Sequence, residues 1–164
     1  MKPNIRGLPV AASIAATMIF ALALATEVPG PPATDLKLAP GLSFSDDSSP
    51  NFPIEGKNLS DGSIAADQTT VIFFGTANCW NTAREAERLM QLYPRYKDKI
   101  RFVIVDLRNP SSGQRGLISH YYHGYIPTIA VIDSAGNVLY DRAGETASER
   151  GDTSNLQKLL DSAR

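Results

Sequence analysis

From Thr70 onward the hydrophobic pattern switches between two periods. Thr70–Gly75 (TVIFFG) is a short uncharged run, the pattern of a strand buried on both faces. From Asn81 to Tyr96 the period becomes helical. Ala83, Ala86, Leu89, Met90 and Tyr93 fall on one face, and Arg84, Glu85, Glu87, Arg88 and Gln91 are predicted largely on the other, with Pro94 near the end. Ile100–Leu107 reads as a second strand. Asn109-Pro110 followed by Ser111-Ser112-Gly113 marks a loop, and Gln114–Tyr122 a second helix. Pro127 precedes a strand at Thr128–Asp133. Ser134–Asn137 (SAGN) turns the chain into a strand at Val138–Arg142, and Thr153–Ser162 closes with an amphipathic helix bearing Leu156, Leu159 and Leu160. This order predicts an α/β fold: a three-layer sandwich with a mixed central sheet, built as βαβ, then α, a β-hairpin and α. The first two strands are parallel through a right-handed crossover, and the hairpin adds antiparallel strands.

The N-terminal third reads differently. Lys2 and Arg6 precede an uncharged run, Val10–Ala25, that ends in Ala23-Leu24-Ala25, the small-residue pattern of a signal cleavage site. The run is shorter than the ~20 apolar residues that comfortably span a bilayer. Residues 1–25 are therefore expected to be a signal peptide, with an N-terminal membrane anchor as the alternative. The protein is then exported, to the periplasm or the extracellular space. Pro29, Pro31, Pro32, Pro40, Pro50 and Pro53 and the polar run Ser43–Asn51, broken by Phe44, argue for a spacer over 26–57, on which Leu36, Leu38, Leu42 and Phe44 are candidates for docking onto the domain. Residues 58–164 form the predicted domain, with Asn58–Asp67 a lead-in strand or turn.

Composition narrows the chemistry. A formal net charge of −1 over 164 residues, or −3 without the first 25, offers no basic excess for nucleic acid. The single cysteine, Cys79, precludes an internal disulfide and a cysteine cluster for zinc or iron–sulfur. No metal and no cofactor is expected. His120 and His123 lie three apart but lack further ligands in view, which favours an ordinary helix end. Arg95, Lys97, Lys99 and Arg101 read as a solvated helix end. Asp106 at a strand end and Asp133 at a turn read as structural.

Cys79 sits where the first strand turns into the first helix. Unpaired N–H groups and the positive end of the helix dipole favour thiolate over thiol at such a position. The alternative is a small buried hydrophobe without chemistry. Asn78, Trp80 and Asn81 around it are polar or amphipathic and favour partial exposure. Trp80 is either a recognition aromatic or a cover over the thiol.

FFGTANCWNT at the cysteine, YHGYIPT at Pro127 and the hairpin AVIDSAGNVLYDRAGE resemble the thioredoxin family, over roughly Gly56 to the C-terminus. The resemblance implies a thioredoxin-like fold and a cis peptide before Pro127, facing Cys79. It also implies that the backbone at Ile126 pairs with a bound peptide as an added strand. Asn78, Trp80, Ile126 and Pro127 are accordingly the expected substrate-binding residues. The chain departs from the family where the chemistry lies. Its Cys-x-x-Cys is degenerate, Cys79-Trp80-Asn81-Thr82, so Thr82 stands in place of the resolving cysteine. The tryptophan that commonly precedes the first cysteine is Asn78, and the buried acid six residues before the cysteine is Phe73. Cys79 and Thr82 are the expected catalytic residues, the hydroxyl donating to the thiolate.

Three functions remain. The first is an exported monothiol thiol–disulfide oxidoreductase or isomerase using an external resolving thiol. Its partners are disulfide- or thiol-bearing proteins or a small-molecule thiol, with no nucleic acid, and with membrane contact only through an uncleaved N-terminal segment. The second is a non-catalytic peptide-binding module. The third is a thiol peroxidase, suggested by Thr76-Ala77-Asn78-Cys79 and by Cys-x-x-Thr, with Arg142 the candidate to polarise peroxide. The proline that precedes this motif in peroxiredoxins is Ile72 here.

Overall fold

Thr70–Gly75 forms β3, and every residue in it is buried, which is why its sequence shows no polar alternation. The computed structural model describes residues 35–56, 59–144 and 152–163. β3 runs parallel to β4 (Arg101–Asp106), in register from Thr70↔Arg101 to Gly75↔Asp106. On its other side it pairs antiparallel with β5 (Thr128–Ile132), which pairs antiparallel with β6 (Val138–Ala143). The resulting order is β4-β3-β5-β6.

Alternate residues of these strands feed two cores. Val71, Phe73, Ile104, Ile129 and Val131 pack with Ala86, Leu89, Leu92 and Tyr96 of α1 (Trp80–Tyr96) and with Leu156 and Leu160 of α3 (Ser154–Ser162). Ile72, Phe74, Val103, Val105, Ala130 and Ile132 pack with Leu117 of α2 (Arg115–Tyr121) on the opposite face. Two helices on one face of a mixed sheet and one on the other make a three-layer α/β sandwich with the thioredoxin-like topology. Element types match the pattern-based expectation, and bounds shift by a residue or two, as frayed ends do.

Two parts of the chain differ from expectation. Residues 35–56, expected within the spacer, lie on the domain. They carry β1 (Lys37–Leu38) and β2 (Ile54–Glu55), paired antiparallel. Ile54 is buried in the first core, with Leu36, Leu38 and Phe52 packed against it, while Phe44 stays exposed. The prolines exclude central strands but not two-residue pairings with apolar anchors. The lead-in region holds no strand among its described residues; turn bonds within Asp61–Ser63 and the contact of Arg101 with Asp61 fix it.

The second difference is on α1. Glu85 and Arg88, expected on its polar face, are 3% and 8% exposed. One Glu85 oxygen accepts from Arg88 at 2.8 Å, and the other binds Arg142 of β6. A buried charge is tolerable only when paired, and here α1 and β6 supply the pairs. The predicted export segment, residues 1–25, lies outside the described residues.

Candidate active site at the Cys79 turn

β3 ends at Gly75 against the first turn of α1. A Cβ at position 75 would lie 2.3 Å from Thr82 Cγ2 and 3.2 Å from the Phe73 ring, so only glycine admits this approach. The chain then reverses through Asn78, which has φ +53°, in the left-handed region that asparagine tolerates better than most residues. Cys79 follows as the N-cap of α1, extended at φ −145° and ψ 107°, with its side chain half-buried and making no capping bond.

The missing cap comes from the N-terminal segment. Asp47 Oδ1 accepts the Trp80 N–H at 2.9 Å. A carboxylate on a first-turn N–H satisfies an orphan donor and complements the dipole, an interaction of about 0.5–2 kcal/mol. The Ser49 carbonyl accepts the Asn78 N–H at 3.0 Å, and Arg108, from the loop after β4, donates to Asn78 Oδ1 at 3.0 Å. Arg84 lies 5.0 Å over the Trp80 ring.

The expected site residues divide into two groups. Asn78, Cys79 and Trp80 form the turn, with Asn78 exposed and Trp80 half-buried. Ile126 and Pro127, joined by a cis peptide bond, immediately precede β5. Because Thr128 pairs with Phe74, they sit at the end of the sheet from which the Cys79 turn departs. Ile126 is half-buried and Pro127 buried, and the Pro127 carbonyl accepts the Gly144 N–H at 2.7 Å. Thr82 departs from its expected role. Its hydroxyl is fully buried and makes no hydrogen bond, so it does not donate to Cys79, and its methyl faces Gly75. Phe73 is fully buried with its ring edge-on to Phe52, 6.4 Å between centroids, and offers no proton acceptor.

Other candidates are engaged elsewhere. Arg142 is bound to Glu85. His123 pairs with Asp141 at 2.7 Å and His120 packs beside Tyr121, and among the described residues no cluster of three or more His, Cys, Asp or Glu could hold a metal. Arg95, Lys97 and Arg101 pair with Asp161, Asp35 and Asp61 respectively. Asp106 accepts from the Arg108 N–H and from Asn109, while Asp133 holds the hairpin turn through Ala135 and Asn137. Among the described residues no helix is long and apolar enough to cross a membrane.

Sequence reading missed Asp47, Ser49 and Arg108. The only signal for Asp47 was its place in an Asp-Asp-Ser-Ser run, a composition equally suited to a solvated turn.

No protein-family model and no curated protein matches this sequence. Among solved structures it is similar to the thioredoxin pre-protein of Schistosoma mansoni, at 18% identity over 60% of this chain and 82% of that one, TM-score 0.46. It is similar also to thioredoxin O2 of Arabidopsis thaliana, at 17% identity over 63% and 81%, TM-score 0.46. A third similar chain comes from work on the thiol-resolving mechanism of yeast mitochondrial 1-Cys peroxiredoxin through the glutathione and thioredoxin systems, at 19% identity over 58% and 79%, TM-score 0.45. The thioredoxin-like assignment therefore rests on this chain's own strand order, strand directions and helix placement.

Proposed function

We propose that this chain is an exported monothiol thiol–disulfide oxidoreductase or isomerase whose nucleophile is Cys79. The observation that carries the reading is a half-buried cysteine at the N-cap of the first helix of a thioredoxin-like fold, with Thr82 in the second cysteine's place. In the proposed cycle the Cys79 thiolate attacks one sulfur of a disulfide R–S–S–R′. The Cys79–S–S–R bond forms, the S–S bond breaks, and R′–S⁻ leaves with the electron pair. With no second cysteine in the chain, an external thiolate must then attack the mixed disulfide and regenerate Cys79. Asn78, Trp80, Ile126 and Pro127 are proposed to face the substrate. Export is proposed from residues 1–25.

The test is trapping. The wild-type chain, exposed to disulfide-bearing proteins and quenched in acid, should carry mixed disulfides that dithiothreitol releases and Cys79→Ser abolishes. An adduct-free wild type under conditions where a control monothiol protein is trapped sinks the oxidoreductase reading.

A second reading, a non-catalytic peptide-binding module, draws support from two features. Asp47 already occupies the first helical N–H, and the Thr82 hydroxyl makes no bond to the sulfur. That module would retain its peptide partners in Cys79→Ser.

A further inference from the structure

Cys79 is the N-cap of α1, yet its side chain caps nothing, and the first turn of the helix has no acidic residue. The negative charge found there arrives from residues 42–51. Asp47 Oδ1 takes the Trp80 N–H at 2.9 Å, and two residues on the Ser49 carbonyl takes the Asn78 N–H at 3.0 Å. The two bonds bracket the cysteine.

The segment delivering them is itself built. Ser49 is 2% exposed; its Oγ accepts the Ser43 N–H at 2.6 Å and contacts the Ser43 carbonyl at 3.4 Å. Asp46 Oδ1 accepts the Ser48 N–H at 3.0 Å, and hydrogen bonds from Ser48 and then Ser43 hold its carboxyl below the usual aspartate range. Phe52, just beyond, is anchored on Phe73. The charged groups in contact with the turn are Asp47 on this segment, Arg84 on α1 over Trp80, and Arg108 on Asn78.

We propose that residues 42–51 form a strap that restrains Cys79, with Asp47 as its positioning residue. A thiolate at a helix N-cap is favoured by free N–H groups and by the positive end of the dipole. Asp47 consumes the first of those N–H groups and sets a negative charge on the residue next to the cysteine. Both effects oppose the reactive form while the strap is docked, and both lapse when it lifts. This inference rests on Cys79 as the reactive group of the proposed function.

The test is the rate of alkylation of Cys79, the sole cysteine, by neutral iodoacetamide in the full chain at pH 7 and low salt. Asp47→Asn keeps a capping oxygen and removes the charge, whereas Asp47→Ala removes both. Both should react faster than wild type, about two- to fivefold for Asn, the size of a charge effect at a helix end, and more for Ala. A rate for Asp47→Asn at or below that of wild type overturns the proposal. Should either variant misfold by circular dichroism, wild type alone decides. Its rate should rise as added salt screens Asp47, and a flat or falling rate shows that Arg84 and Arg108 dominate and overturns the proposal. Alkylation needs no disulfide partner, so failure to trap mixed disulfides would remove the proposed function without prejudging this result.

Discussion

Glu85 offers the sharpest test of how the helix bearing Cys79 is fastened to the sheet. Its side chain is 4% exposed, and its two oxygens bind Arg88 at 9% and Arg142 at 14% side-chain exposure. Solvent screening is weak at such burial, so surface ion-pair values do not apply. Glu85→Ala withdraws the anion that both guanidinium groups share. Breaking a buried pair from one side costs about 3–5 kcal/mol, because the remaining charge keeps its desolvation cost. Against a typical total of about 5–15 kcal/mol that is a large fraction. With a urea m-value of roughly 1–3 kcal/mol/M, the unfolding midpoint should fall by about 1–5 M at unchanged m. Arg142→Ala should also destabilise, and the double variant should lose clearly less than the sum of the two singles, since Arg142 is then no longer left buried without its anion, whereas Arg88 loses Glu85 in either case. A Glu85→Ala loss under about 1 kcal/mol, or additive behaviour in the cycle, would show that water already solvates these groups and would refute the reasoning.

Two further predictions follow from single contacts. Gly75→Ala sets a Cβ 2.3 Å from the Thr82 methyl, and overpacking of this kind costs about 1–3 kcal/mol; an unchanged thermal midpoint would show that the α1 start shifts freely. Hydrogen bonds from the Asn137 side chain and then its backbone lower the Asp133 pKa below its ordinary 3.8. A depressed folded-state value stabilises above the unfolded pKa, and that contribution is lost as pH falls through the lower folded value. Wild type should therefore lose, below about pH 4, a component of stability that Asp133→Asn lacks; parallel pH profiles of the urea midpoint would contradict this.

What the sequence disclosed and what it withheld divide along range. β3, β5 and α1 announce themselves because burial and period are written into consecutive residues: TVIFFG needs no partner to be read as a buried strand. The Cys79 turn was legible for the same reason, since strand, turn and helix start are neighbours in the chain. The controls on that turn were not. Asp47 is 33 residues from Trp80, and Arg108 is 30 from Asn78. Each pairing joins polar groups, one of them a backbone N–H, that solvent satisfies equally well. Glu85 and Arg88 were assigned to the polar face for a related reason. Helical periodicity places a charge at an angle around the axis, but it cannot show that Arg142, on β6, faces that angle. Thr82 shows the converse. Its spacing from Cys79 suggested a hydrogen bond to sulfur, whereas the close approach of α1 to Gly75 directs its methyl at the strand and leaves the hydroxyl unbonded. Local pattern thus locates the thiol. The charges around it, which govern its reactivity under the strap proposal, are set by contacts between segments far apart in the chain.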